Sequence, residues 1–448
     1  MHRLILLILF IGSNAIHAQT AADLTFSNIE GYWEGAFIKG NSYQKIEVQF
    51  FESNGNYLSL QIMEEWHPQF GEFEIPVDID SLGNIAFNTG HGRAVMQLDE
   101  NNLEMVGYLE EKDPTVHIHL KKVPPPPPPN YLVEQVAINN GAITLYGHHH
   151  YNKIEPYRSA LIIVGGRGCY AGSTSFDLNA KILREYGMSV FAFNKRGTGL
   201  SNGDCKTATI SDFADDVTTV VNYLKNHPHN YEFIGAMGLS AGGWVINKAE
   251  EQIDFDFMIS VVGPATSVRE QQYQALSTGA GFYDFSPEVT QHLTEYMNLV
   301  FDAPANETSF KEMNRLLALA EKEDWMKMLA DTDIPYTADE IESLWVRRHA
   351  YDPGTTLKTF NKPMLAVFGE IDWIVPYQPN LERLEQYFSG ERADLLTTLV
   401  IPNAEHGTEV SGDFIDLPNG DSYWRFYRIS PWLTIEVIDF LKTNNFID

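Results

Sequence analysis

Apolar residues change their spacing along the chain. In the first quarter, short strand-like segments at 45–51, 57–63, 94–98 and 116–120 alternate with turn formers at Asn54-Gly55, Gly83-Asn84 and Asn101-Asn102. A period of two puts every second side chain on one face of a strand, and Asn-Gly pairs suit tight hairpins. This spacing predicts a small all-β domain over residues 24–123, built as an antiparallel barrel or a sandwich.

Further on, 161–164, 189–193, 232–237, 257–262 and 364–368 are short, mostly apolar runs, and helical stretches lie between most of them. Such runs mark strands buried on both faces, so the second part reads as a parallel sheet covered by helices on both sides. The rhythm breaks at about 265–360, where the periodicity is helical. There Ser286-Pro287 offers an N-cap with proline in the first turn, and Thr337 with Glu340 offers a capping box. An insertion late in a sheet reads as a lid, or as a packing appendage that does not touch substrate. Between the two patterns stand six consecutive prolines, Pro124 to Pro129, whose polyproline helix would span roughly 19 Å. Residues 124–130 are thus expected to be a stiff linker, and 131–448 the second domain.

The chain has 448 residues, 44% of them hydrophobic, enough for two cores. It opens with His2-Arg3, an apolar run over 4–11 and a small residue at Ala18, the layout of a cleavable signal peptide over 1–18. An uncleaved anchor or a buried strand are the alternatives. The expectation is an exported protein, periplasmic or secreted, with no membrane span once processed. A net charge of −29 argues against nucleic acid as a partner, because that binding depends on neutralising phosphates. The two cysteines, Cys169 and Cys205, follow predicted strands. They could pair, contributing roughly 3 to 4 kcal/mol by chain entropy, or remain two buried thiols. His148, His149 and His150 do not read as a metal site, since adjacent strand residues face opposite ways and no carboxylate or cysteine cluster accompanies them.

Gly-x-Ser-x-Gly occurs twice, around Ser201 and around Ser240. A nucleophilic serine needs a strand running directly into a helix, with glycines where the strained turn brings backbone close. Ser240 follows the strand 231–237 and precedes a helical stretch over 241–252, whereas Ser201 lies in a run of turn formers. A serine also needs a base, and the base needs an acid to orient it. Beyond Ser240 the histidines are His292, His349 and His406, and only His406 follows a strand, 399–401, rather than lying in the insertion. Asp372 stands in the loop after strand 364–368, with Glu370 as the nearer-strand alternative. Donors for a developing oxyanion are expected from the N–H of Ala241 and from Arg167 or Gly168 in the glycine-rich turn after 161–164.

Taken together, Gly165 to Gly168, Asn194 to Ser201, Gly238 to Gly243, Val262-Gly263-Pro264 and the Asp372 and His406 segments resemble the exported serine aminopeptidase-like and esterase branch of the α/β-hydrolases. The opening Gly31-Tyr32-Trp33 resembles the first strand of lipocalin-like barrels. The resemblance implies an α/β-hydrolase fold with a helical lid over residues 131–445. It also implies the Ser240, Asp372, His406 triad and a structural role for Arg196-Gly197. Two departures are Ala241, where many relatives carry an acidic residue, and the Gly168-Cys169-Tyr170-Ala171 loop, which bears on the shape of the acyl pocket. The expected substrate is a small ester, cleaved without metal or organic cofactor. A peptide substrate is the alternative, with Glu321, Glu323 or Asp324 receiving the amine. A third reading is a decayed, non-catalytic binding protein.

Overall fold

In the computed structural model, the alternating segments of the first part close on themselves. The structure describes residues 24–40, 42–62, 73–89, 92–99, 101, 103–127, 130–154, 156–170, 177–410 and 431–448. The leader expected at 1–18 and residues 128–129 of the proline run lie outside them. Contacts divide the chain into two compact units, the first reaching residue 126 and the second running from 127 to 448.

The first unit opens with a short helix, α1 (Phe26–Ile29), followed by β1 (Gly31–Lys39), β2 (Ser42–Ser53), β3 (Asn56–Ile62) and β4 (Phe73–Ile79). It continues through β5 (Ile85–Thr89), β6 (Gly92–Asp99), β7 (Glu104–Leu109) and β8 (His117–Val123). Each strand pairs antiparallel with the next, and β1 also pairs with β8, from Tyr32 opposite Val123 to Ile38 opposite His117. The product is a closed eight-stranded barrel and not a sandwich. Closure works because the period-two pattern puts Trp33, Phe37, Val48, Phe50, Phe87, Met96 and Leu120 into one buried interior. Trp33 donates its indole N–H to the Ile29 carbonyl at 2.7 Å, and Gln61 donates to the Asn88 carbonyl at 2.7 Å, so these polar atoms are satisfied inside.

In the second unit the strands are β9 (Tyr131–Asn140), β10 (Ile143–Asn152), β11 (Ser159–Val164), β12 (Met188–Phe193), β13 (Phe233–Leu239), β14 (Phe257–Val261), β15 (Met364–Gly369) and β16 (Leu396–Ile401). They form one sheet in the order β16-β15-β14-β13-β11-β12-β10-β9. The six strands from β11 onward are parallel, and β9 and β10 add an antiparallel edge. Side chains of β11 alternate strictly. Ala160, Ile162 and Val164 join a core with α3 (Ile210–Lys225) and α4 (Gly242–Glu250), while Leu161 and Ile163 join a core with α2 (Leu178–Glu185) and α11 (Pro431–Thr443) on the other face. Burial on both faces is why these strands read as mostly apolar runs without a polar alternation.

The interrupted stretch after β14 is helical, with α5 (Val268–Phe282), α6 (Pro287–Asp302), α7 (Glu307–Lys322), α8 (Trp345–Arg348) and α9 (Gly354–Leu357), and α10 (Tyr377–Tyr387) follows β15. Ser286 caps α6 with proline at its start, as its sequence suggests. The capping box expected at Thr337 does not form. Residues Asp339–Ser343 make a 3₁₀ helix, and Glu340 accepts from the Tyr336 N–H at 2.7 Å instead. No helix among the described residues is long and apolar enough to cross a membrane.

The histidine run on β10 serves packing. His149 is fully buried, with Nε2 2.9 Å from the Tyr231 hydroxyl and its ring 4.7 Å from that of His227. Burial, reinforced by His227, His229 and His150, pushes its pKa down to about 2. An unfolded imidazole titrates near 6.5, so below that pH the unfolded chain takes up a proton that the folded chain refuses. Stability contributed by His149 is therefore complete above about pH 6.5 and declines as pH falls. Asp177 and Glu250, both raised to about 7 by burial, act in the opposite sense, so the test is a difference between two proteins. In urea denaturation between pH 6 and 4, unfolding free energy in His149→Gln should fall less steeply than in wild type, by up to about 1.4 kcal/mol per pH unit. Parallel slopes would refute it.

Candidate active site

Strand β13 runs straight into α4 through Ser240, whose φ of +52° lies in the left-handed region that a side chain normally avoids. The flanking glycines make the turn sterically possible. A Cβ on Gly238 would come within 2.6 Å of the Gly242 backbone, and one on Gly242 would strike the Val164 carbonyl. This turn holds the Ser240 hydroxyl at the carboxyl edge of the sheet, next to the loops that follow β11, β15 and β16.

Those loops carry the remaining groups. His406, after β16, places Nε2 2.9 Å from Ser240 Oγ and Nδ1 2.8 Å from Asp372 Oδ2. Asp372, after β15, is 2% exposed, and its Oδ1 accepts from the N–H groups of Ile374 and Val375 at 2.8 and 2.9 Å. The carboxylate is thus fixed by its own loop before it meets the histidine. Glu370 is exposed and accepts from the Asn403 N–H at 2.8 Å, joining the two loops without reaching His406.

The second Gly-x-Ser-x-Gly does other work. Ser201 accepts from the Tyr146 N–H and donates to the Asn194 carbonyl, both at 2.9 Å, so its hydroxyl is occupied in holding a loop against β10. Arg196 of the same loop grips Asp216 through Nε and Nη2 at 2.8 Å. Of the histidines in the insertion, His292 lies 2.9 Å from Glu323 and His349 is buried beside Trp345.

On the β11 side, Gly166 lies against the serine, where a Cβ would come 3.1 Å from Ser240 Cβ. Ala241 stands at the start of α4, and its N–H has no helical partner. Ser240, Ala241, Gly166, Arg167 and His406 all line one cavity of about 490 Å³. Gly168 does not; it lines a neighbouring cavity. The walls around the serine are largely apolar, with Leu239, Trp244, Val261, Met328 and Trp373 among them. The helical insertion supplies Gln271, Gln272, Ala275 and the segment 327–330.

Glu321, Glu323 and Asp324 do not line this cavity, which corrects the expectation that they could serve as a subsite. Glu323 is held by His292 and by the Trp325 indole, and Asp324 by Lys327. The carboxylate on the cavity wall is Asp333, buried and ion-paired at 2.7 Å with Arg167. Burial raises the Asp333 pKa, and Arg167 partly offsets that. The Arg167 guanidinium also bonds Thr332 and lies 4.2 Å over the Trp345 ring. These anchors in the insertion were missed from sequence because they sit in a stretch with little regular structure.

Cys169 and Cys205 form a disulfide, which excludes the two-thiol alternative and ties the Gly165–Gly168 turn to the loop after β12. The buried Lys195 ammonium bonds the carbonyl oxygens of Gly166 and Gly168 in the same turn. Its position at the end of β12 was the available sequence signal.

A serine hydroxyl, imidazole and carboxylate in a hydrogen-bonded line at the edge of a largely parallel sheet define a serine hydrolase of the α/β-hydrolase fold. Residues 155–409 match the family described as Serine aminopeptidase, S33, and the chain belongs to it. Among solved structures it is similar to an esterase of Pyrococcus furiosus, at 16% identity over 70% of this chain and 91% of that one, with a TM-score of 0.43. A proline iminopeptidase of Mycobacterium smegmatis aligns at 15% identity over 70% and 99%, with a TM-score of 0.43. A thermophilic esterase of Thermogutta terrifontis aligns at 17% over 69% and 98%, with a TM-score of 0.39. No curated protein matches the chain significantly.

The disulfide spans 36 residues, so the Cys169→Ser/Cys205→Ser variant should lose about 3 to 4 kcal/mol of unfolding free energy. Urea denaturation monitored by tryptophan fluorescence checks this. An unchanged midpoint would mean that the non-covalent contacts hold these loops unaided.

Proposed function

We propose that the chain hydrolyses carboxylic esters through an acyl-enzyme at Ser240. In the forward step Ser240 Oγ bonds to the ester carbonyl carbon while His406 Nε2 takes the hydroxyl proton, then passes it to the departing alkoxide. Asp372 keeps His406 oriented and balances its transient positive charge. Ala241 and Arg167 N–H groups receive the oxyanion; Gly168 is disfavoured by its place on the other cavity. Water then gives a proton to His406, its oxygen joins the acyl carbon, and the acid leaves as Ser240 recovers its hydrogen. The protein's own groups suffice for this scheme.

The observation that carries the ester reading is the cavity wall. Asp333, the one carboxylate among its described lining residues, is already paired with Arg167, so among the described residues no free acidic group stands ready for a peptide's ammonium terminus. A peptidase reading has the family description in its favour. The two part on substrate choice. Purified protein is expected to turn over p-nitrophenyl butyrate and hexanoate well above aminoacyl-p-nitroanilides, and a reversed preference would make it a peptidase. Ser240→Ala should reduce kcat/KM at least about a thousandfold and abolish fluorophosphonate labelling. Wild-type turnover in that variant would overturn the assignment, and an unlabelled, inactive wild type would restore the binding-protein reading.

A further inference from the structure

A second cavity, of about 610 Å³, shares Gly166, Arg167, Ala241 and Trp345 with the serine's cavity. Much of its wall is apolar, including Ile210, Phe213, Ile334 and Leu344. Three polar groups on that wall are out of balance with their surroundings.

Lys195 bonds two carbonyl oxygens but has no carboxylate partner among the described residues, and burial pushes its ammonium down to about 8. Arg348 uses two of its five N–H groups, Nε on the Ser343 carbonyl at 2.8 Å and Nη1 on the Ala208 carbonyl at 2.7 Å. It too lacks an ion-pair partner among the described residues, with Asp204 as the acid whose field it feels. His349 is 3% exposed, and its Nδ1 lies 2.8 Å from the Trp345 carbonyl. A carbonyl only accepts, so the proton is on Nδ1 and Nε2 is a lone-pair acceptor. That Nε2 is buried and has no hydrogen-bond partner among the described residues. Burial, with Arg348, Arg167 and Lys195 nearby, pushes the His349 pKa down to about 4, which keeps the ring neutral. Asp331 and Glu340 also line the cavity, but both are exposed and Glu340 is committed to the Tyr336 N–H.

Lys195 also lies 5.5 Å over the Phe213 ring and 5.9 Å over that of Tyr170, so it is solvated by carbonyls and ring faces rather than by an anion. Two cations without a carboxylate partner among the described residues and a buried acceptor, set in an apolar wall, are complementary to an anion that also carries a hydrogen-bond donor. We propose that this cavity binds an organic carboxylate with an apolar body and a hydroxyl group, the carboxylate on Arg348 and Lys195 and the hydroxyl donating to His349 Nε2. A free acid and the substrate's own acyl chain are the two sources of such a carboxylate, and only the second rests on the ester reading above.

Calorimetric titration of the full-length protein with 3-phenyllactate, 3-phenylpropanoate and 3-phenylpropanamide tests the site itself. Phenyllactate is expected to bind tightest, loss of the hydroxyl to weaken binding about tenfold, and the uncharged amide to bind least. Arg348→Gln should cost about a further tenfold in phenyllactate affinity, with partial recovery in Arg348→Lys. Should Arg348→Gln fail to fold, the acid-against-amide comparison in wild type decides alone. No phenyllactate binding, equal binding of acid and amide, or undiminished affinity in a folded Arg348→Gln would overturn the proposal. For the source of the carboxylate, mono-p-nitrophenyl adipate is compared with p-nitrophenyl hexanoate. A KM about tenfold lower for the adipate, lost in Arg348→Gln while hexanoate stays within about twofold, assigns the site to the substrate. Phenyllactate binding without that preference assigns it to a free acid. Absence of any ester turnover would sink the ester reading and leave the titration to judge the cavity.

Discussion

Close packing of backbone around Ser240 is the constraint on which the second unit turns. A left-handed serine between β13 and α4 requires glycine at 238 and 242, and Gly166 on the neighbouring turn packs closely against it, with room for a Cβ only 3.1 Å from Ser240 Cβ. Strain at one residue is tolerated because parallel pairing on both sides of β13 and two packed faces over-determine the turn. Everything reactive then follows from the carboxyl edge of a parallel sheet. Loops after β11, β15 and β16 all open beside that turn, so a hydroxyl, an imidazole and a carboxylate far apart in sequence become neighbours.

Much of this was legible in the order of residues. Mostly apolar runs marked β11 to β15, because strands buried on both faces are rich in apolar side chains, with the buried Ser159, Ser189 and Ser260 as exceptions. The setting of Ser240 against that of Ser201 separated two identical motifs, and the geometry agrees, since Ser201 spends its hydroxyl on backbone. Strands β9 and β10 were not recognised as part of the sheet: β9 is an edge strand with no fully buried position, and polar His148 to His150 mask an interior that takes up two imidazoles. In the first unit, β5 is only five residues long and β7 carries Val106 and Tyr108 on its exposed side, which blurs the alternation that marks a strand.

Side-chain pairing across the insertion was beyond reach of sequence pattern. Arg167 meets Thr332, Asp333 and Trp345, more than 160 residues away, in a segment with only 3₁₀ turns and one short helix. Thr337 shows the same limit from the other side: its spacing to Glu340 fits a cap, yet Pro335 and the packing of Ile341 favour a tighter turn. Arg167 is on the wall of both cavities, together with Gly166, Ala241 and Trp345, and its guanidinium is held by an ion pair with Asp333 and by the Trp345 ring.

Closure of the barrel has a consequence in time as well as in space. β1 is hydrogen-bonded to β2, its neighbour in sequence, but also to β8, the last strand of the unit. A chain emerging from its amino end can pair β1 along one side at once and must leave the other side unpaired until residue 123 is available. All other pairings in the barrel join strands adjacent in sequence, so β1 with β8 is the one long-range pairing and carries the largest loop-closure cost. Until it forms, the outer edge of β1 is an open sheet edge, the feature that the finished barrel no longer possesses.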